Sequence, residues 1–142
     1  MTARPGQDRV PVDVMDSLVQ ASFTVIALLS QVAAEHDLSL TQLRVLAILR
    51  DRQPRMTELA THLGLERSSV SGLIDRAAGR GLVRREVSSD DGRAVRVSLT
   101  PAGQRLASLL SQEINGLLTP MTRGLSPAEQ KRLSALLTRV LV

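Results

Sequence analysis

A mostly α-helical fold with one small β-hairpin is what this 142-residue sequence predicts, and three observations predict it. Over most of the chain apolar residues recur every three or four positions, the spacing of one helix face. From Leu82 to Leu99 the period changes to two: Val95, Val97 and Leu99 alternate with Arg96 and Ser98, as in a half-buried strand. Just before that stretch, two short helical segments are joined through Gly64. A helix pair followed by a hairpin is a winged helix-turn-helix, and the long apolar helices on either side of it are read as N- and C-terminal dimerisation helices.

Residues 1–12 contain Pro5, Gly6, Pro11 and mixed charge without the apolar middle of a signal peptide, so they read as a flexible N-terminal arm. Asp13 to Glu35 is the first helix. Val14, Leu18, Ile26, Leu29 and Val32, widened by Phe23, Val25 and Leu28, make a stripe broad enough for burial on more than one side. Ser39 and Gln42 form a capping box for the second helix, whose Leu43, Leu46, Ala47, Ile48 and Leu49 face the core; Pro54 bounds it.

Thr57 to Leu63 is the third helix, capped by Thr57 or its neighbour, with Glu58 at its positive end. Gly64 stops it, and Leu65 packs inward. Ala60, Gly64 and Val70 hold the places where the two helices approach closely. Glu66 to Ala78 is the fourth helix, burying Val70, Leu73, Ile74 and Ala77 and closed by Gly79 and Gly81. Leu82–Val87 and Ala94–Leu99 are the hairpin strands, and the tip lies at Asp90–Gly92. Thr100 caps the fifth helix with Pro101 at its first position, and Leu106, Leu110, Ile114, Leu117 and Met121 make its stripe. Ser126, Pro127 and Glu129 open the sixth with cap, first-position proline and capping-box carboxylate. The organisation is then an arm (1–12), a helical dimerisation region (13–36 and 101–142) and a winged helix-turn-helix (37–100). The terminal helices carry more apolar surface than a small winged domain covers, which points to a second copy.

Composition narrows the functions. Phe23 is the only aromatic residue, so the core is aliphatic and base-stacking single-strand binders lack their platforms. Without cysteine there are no disulfides and no thiol sensing. Glu35, His36, Asp37 and His62 are too thin a set for a metal site, and no cofactor is expected. No glycine-rich phosphate loop or nucleophile elbow is present, so an enzyme is not expected. No unbroken apolar run approaches the ~18–20 residues of a membrane span, so no membrane partner is expected and the chain is read as cytoplasmic. The net charge is +4, and between Arg76 and Arg96 six arginines face three acids. That cluster is either a phosphate-binding footprint or an ordinary solvated hairpin.

The order and spacing of several segments resemble the multiple-antibiotic-resistance regulator (MarR) family. These are Leu40–Leu46, Glu58–Ala60, Leu63–Leu65, Ser69–Arg76, Gly81–Arg85, Asp90–Arg93 and Ser98–Gly103. The resemblance implies a cytoplasmic homodimer that binds a pseudo-palindromic duplex DNA operator. It further implies a repressor released by a small lipophilic or aromatic effector. The alternative is a winged-helix module that binds protein and not DNA. Two departures stand out: Glu66 opens the fourth helix in place of a small polar cap, and Gly72 sits where a larger residue is common.

With its core positions removed, the fourth helix leaves Arg67, Ser68, Ser69 and Ser71 as candidates for the major groove, with Arg76 on the same helix. A serine there reads bases, holds phosphate or is merely solvated. Arg93 at the hairpin tip suits the narrow minor groove, and Asp91 pre-orients it as in similar wings. Arg84, Arg85 and Arg96 serve phosphates or wing stability. Thr41, Gln42, Thr57 and His62 are candidates for the DNA backbone. By family analogy His36, with Phe23, lines a ligand pocket.

Overall fold

The computed structural model describes residues 13–87 and 94–141. Six helices and one hairpin follow in the predicted order. They are α1 (Val14–Glu35), α2 (Leu40–Leu49), α3 (Met56–Leu63), α4 (Arg67–Gly79), β1 (Val83–Val87), β2 (Val95–Leu99), α5 (Pro101–Thr122) and α6 (Pro127–Leu141). The expected arm at 1–12, and Asp91 and Arg93 at the wing tip, lie outside the described residues.

Local capping chemistry sets the boundaries. Asp13 caps α1. Ser39 and Gln42 exchange both bonds of the capping box, at 2.8 and 3.1 Å. Thr100 accepts from the Gly103 N–H at 3.1 Å, with Pro101 in the first turn. Ser126 and Glu129 repeat the capping box on α6. There the Ser126 backbone N–H, and then its hydroxyl, hold the Glu129 carboxyl below its ordinary pKa. The third helix departs from expectation. It begins one residue earlier, Arg55 occupies the cap position, and Glu58 reaches back to the Arg55 N–H at 3.4 Å. Thr57 is an exposed residue of the first turn, not the cap. Gly64 does end α3, in the left-handed conformation at φ +65°. Its role is that angle alone, because a Cβ there would meet open space and not the neighbouring helix.

Most of the core lies inside the winged unit. Leu43, Val45, Leu46, Leu49, Leu59, Leu63, Val70, Leu73, Ile74, Leu82, Val83 and Val97 are buried together, with Val32 and Ala33 from α1 and Leu110 from α5. On α4 the buried set is Val70, Leu73, Ile74 and Ala77, as its spacing predicts. Three positions differ. Ala47 is exposed and Val45 is buried in its place, on the side that meets Leu73, Ala77 and Leu82. Leu65 is 38% exposed between α3 and α4. Ser98 is buried, although its strand alternation pointed it outward. The strands pair antiparallel, with Val83 opposite Leu99 and Val87 opposite Val95. A short bridge sets Arg55 beside Arg96, and the Val97 N–H donates to the Pro54 carbonyl at 3.0 Å. The wing is therefore stitched to the segment before α3. At the root of α5, Gly103 passes directly under the Leu82 carbonyl, where any side chain would collide.

The terminal helices carry apolar surface that the chain itself does not cover. On α1, Leu18, Val25, Leu28 and Leu29 turn inward, while Met15, Val19, Phe23 and Ile26 form a second, outward stripe. On α5 the inward residues Ala107 and Leu110 give way to exposed Leu117 and Met121. None of the described residues of α6 is buried, and Leu133, Leu136, Leu137 and Val140 face solvent. By length and average hydropathy α1 is apolar enough to cross a membrane, although Ser17, Gln20, Ser22, Thr24, Ser30 and Gln31 interrupt its apolar run.

Candidate nucleic-acid interface

The outer face of α4 is where the predicted reading residues come together. Arg67, Ser68, Ser69 and Arg76 are exposed and Ser71 is half-buried. Ser68, Ser69, Gly72 and Arg76 line one open groove with Ser39 and Thr41 from the start of α2. Leu65 lines it too, which explains its exposure: it is the apolar member of a polar surface, not a core residue. Sequence reasoning missed Leu65 and Ser39 here, since one looks like core and the other like a cap. Neither the Arg67 nor the Arg76 side chain has a hydrogen-bond or carboxylate partner among the described residues. A Cβ at Gly72 would stand 3.6 Å from Arg76 Nη1, an ordinary contact, so space does not demand the glycine.

Among the described residues, the other arginines of the cluster have partners within the chain. Arg85 Nη2 sits 2.7 Å from Asp75 Oδ1 and donates to the Ser71 carbonyl at 3.2 Å, clamping β1 to the middle of α4. Arg96 Nη1 donates to the Gln53 carbonyl at 3.0 Å. Arg84 pairs with Glu86 at 3.4 Å, both well exposed, where such a pair is worth ~0–1 kcal/mol. Arg80, just past α4, donates to the carbonyls of Asp37 and His36, each at 3.1 Å. Of the two roles left open for the wing arginines, Arg85 and Arg96 have the geometry of wing stability.

The candidate backbone contacts are spread around this face. Thr41 and Gln42 are half-buried at the α2 start, and the Gln42 side-chain carbonyl is occupied by the Ser39 N–H. Thr57 and His62 are exposed on α3. The His62 carbonyl accepts from Arg44 Nη2 at 2.8 Å, tying the end of α3 to α2.

Phe23 and His36 do not share a pocket within the chain. Thirteen residues of helix separate them, a rise of roughly 20 Å. Phe23 is 68% exposed. His36 Nε2 faces Glu113 of α5, at 3.0 and 3.2 Å from its two carboxylate oxygens. One cleft lies between α2 and α5, with a volume of ≈ 100 Å³. Leu43, Leu46, Ala47, Leu110 and Ile114 line it, and Arg50, Ser111 and Asn115 supply polar groups. Arg50 Nη1 donates to Ser111 Oγ at 2.7 Å.

Residues 36–94 match the family model described as MarR family. An uncharacterized HTH-type transcriptional regulator of Bacillus subtilis (strain 168), YfiV, is 30% identical over 96 residues, 67% of this chain and 60% of that relative. The match thus spans less than two thirds of the relative's length. A MarR-family transcriptional regulator from Silicibacter pomeroyi has a similar structure, with a TM-score of 0.77 and 27% identity over 92% of this chain and 91% of that one. NadR in complex with 4-hydroxyphenylacetate superposes with a TM-score of 0.77 at 21% identity, over 99% of this chain and 97% of that one.

Proposed function

We propose that this chain is a transcriptional regulator of the MarR family that reads duplex DNA with α4 as a homodimer. The observation that supports this best is the outer face of α4. It is polar, it presents Arg67 and Arg76 side chains without partners among the described residues, and it stands beside the capped start of α2. Arg67, Ser68, Ser69 and Ser71 take the base edges, and Leu65 adds an apolar contact of the kind a thymine methyl accepts. Arg76 and the α2 start with Thr41 and Gln42 take phosphates, as do Thr57 and His62. At the wing, Arg93, oriented by Asp91, enters the minor groove. Arg84 remains available to the backbone. An apolar face would have suited a protein partner instead.

The second copy covers the outward stripes of α1, α5 and α6. It places two reading helices on successive turns of the duplex, ~34–36 Å apart, which makes the operator a pseudo-palindrome. Repression with release by a small effector completes the reading. The α2–α5 cleft, apolar with Arg50 at hand, suits a small aromatic acid. In vitro selection from a random duplex pool tests the DNA reading: an enriched pseudo-palindrome is expected, and no enrichment overturns it. Titrating 4-hydroxyphenylacetate or benzoate into the selected complex tests release.

A further inference from the structure

The short turn between α1 and α2 receives contacts from two other helices. From α5, the Glu113 carboxylate holds the His36 imidazole at 3.0 and 3.2 Å. From the end of α4, the Arg80 guanidinium takes the main-chain carbonyls of His36 and Asp37, each at 3.1 Å. The turn between them is firmly specified. Asp37 is left-handed at φ +56°, and the Leu38 N–H closes back on the Ala33 carbonyl at 2.8 Å. Arg80 also continues α4, its N–H donating to the Arg76 carbonyl at 3.2 Å.

The chemistry of each contact is directional. Two adjacent carbonyls match the planar fork of a guanidinium, and a lysine ammonium does not reproduce that match. Among the described residues Glu113 is the one carboxylate within ion-pair distance of His36, so α5 positions the ring and the ring positions the turn. Glu113 belongs to the same helix that walls the α2–α5 cleft through Ser111 and Ile114.

We propose that Arg80 is a positioning residue that fixes the end of α4 to the His36–Asp37 turn, and that Glu113 sets this turn from α5. A displacement of α5 then reaches the reading helix without any group on the DNA-facing surface changing. This names a route of regulation for α4 and rests on the reading of α4 as the DNA-contacting helix.

Two measurements test it on the full chain. Amide hydrogen exchange without DNA compares wild type with Glu113→Ala. About fivefold faster exchange at residues 77–80 is expected, the loss of roughly one hydrogen bond's worth of protection. Faster exchange confined to α5 and the turn overturns the proposal. Affinity for the duplex selected by the wild-type protein is then measured for Arg80→Lys, Glu113→Ala and the double variant. Arg80→Lys should lose about tenfold with an unchanged salt slope, and Glu113→Ala should add little to it. Retained affinity in Arg80→Lys would mark a simple phosphate contact and overturn the proposal, as would additive losses. If the wild-type chain binds no duplex, the DNA reading falls and the exchange result alone decides this inference.

Discussion

The outer face of α4 and the outer face of the terminal helices are both open to solvent, but their chemistry differs. On α4 the exposed side chains are Arg67, Ser68, Ser69, Asp75 and Arg76, groups that water satisfies. On α1, α5 and α6 they are Val19, Phe23, Leu117, Met121, Leu133 and Leu137. Burying one such side chain fully is worth ~1.5–3 kcal/mol, so the second surface demands a permanent cover while the first can wait for its partner. The same division runs through the arginines. Those of the wing and junction, Arg80, Arg85 and Arg96, hold carbonyls and Asp75, whereas Arg67 and Arg76 hold nothing described. Charge counted along the sequence does not separate these groups; geometry does.

The strongest way to break the comparison is a charge on the apolar side. Leu137→Glu places a carboxylate in the proposed dimer contact twice, once from each copy. Burying an unpaired charge is strongly destabilising, at roughly 3–5 kcal/mol, so the dimer dissociation constant should rise more than about hundredfold by sedimentation equilibrium. Affinity for a two-half-site duplex should fall with it. An unchanged association state would remove α6 from the interface. A wild-type monomer that partitions into phospholipid vesicles would assign the α1 stripe to lipid.

On the polar side the next effect is Arg67→Ala. A bidentate arginine–guanine pair gives ~1–3 kcal/mol of discrimination, so affinity for the selected duplex should drop and one base position should lose its preference in a repeated selection. Uniform weakening across sequences would demote Arg67 to a phosphate contact. Smaller still is the contrast between Arg76→Gln and Arg85→Gln in salt titrations. The first should lower the salt slope by ~0.9, and the second should leave it unchanged, because Arg85 already serves Asp75 and Ser71. Equal slopes for both variants would erase the distinction between free and engaged arginines.

What was legible in the sequence was what depends on neighbours in the chain. The capping pairs Ser39–Gln42 and Ser126–Glu129, the Thr100–Pro101 start and the buried face of α4 are all set within a few residues, and all appear as read. What was not legible depends on elements far apart. Leu65 is apolar and adjoins a turn, and only the placement of α2 against α4 reveals that it lines an open groove. Arg85 and Arg96 read as phosphate ligands or braces until Asp75 and the Gln53 carbonyl are found beside them. The partner of His36, Glu113, lies 77 positions away on α5, and no local spacing pairs the two. Ser98 obeys the strand period and is buried all the same, since alternation along one strand does not say what covers its second face.

The smallest expected effect separates helix formation from partner burial on the apolar side. None of the described residues of α6 is buried, so within one chain the helix depends on its own start more than α4 does. Glu129 receives the Ser126 N–H at 2.9 Å, and this bond is the larger cause of its lowered pKa. A carboxyl whose folded pKa lies below its unfolded value stabilises above the unfolded value and loses that contribution as pH falls through the folded one. Glu129→Gln should therefore cost slight thermal stability at neutral pH. Once the pH has fallen through that lowered folded pKa, where the wild-type carboxyl is itself protonated, the two proteins should melt together. The group is fully exposed, so the difference should also shrink with added salt. A gap that persists unchanged into acid would mean that Glu129 acts through packing against the second copy and not through the cap, and would move the start of α6 into the interface.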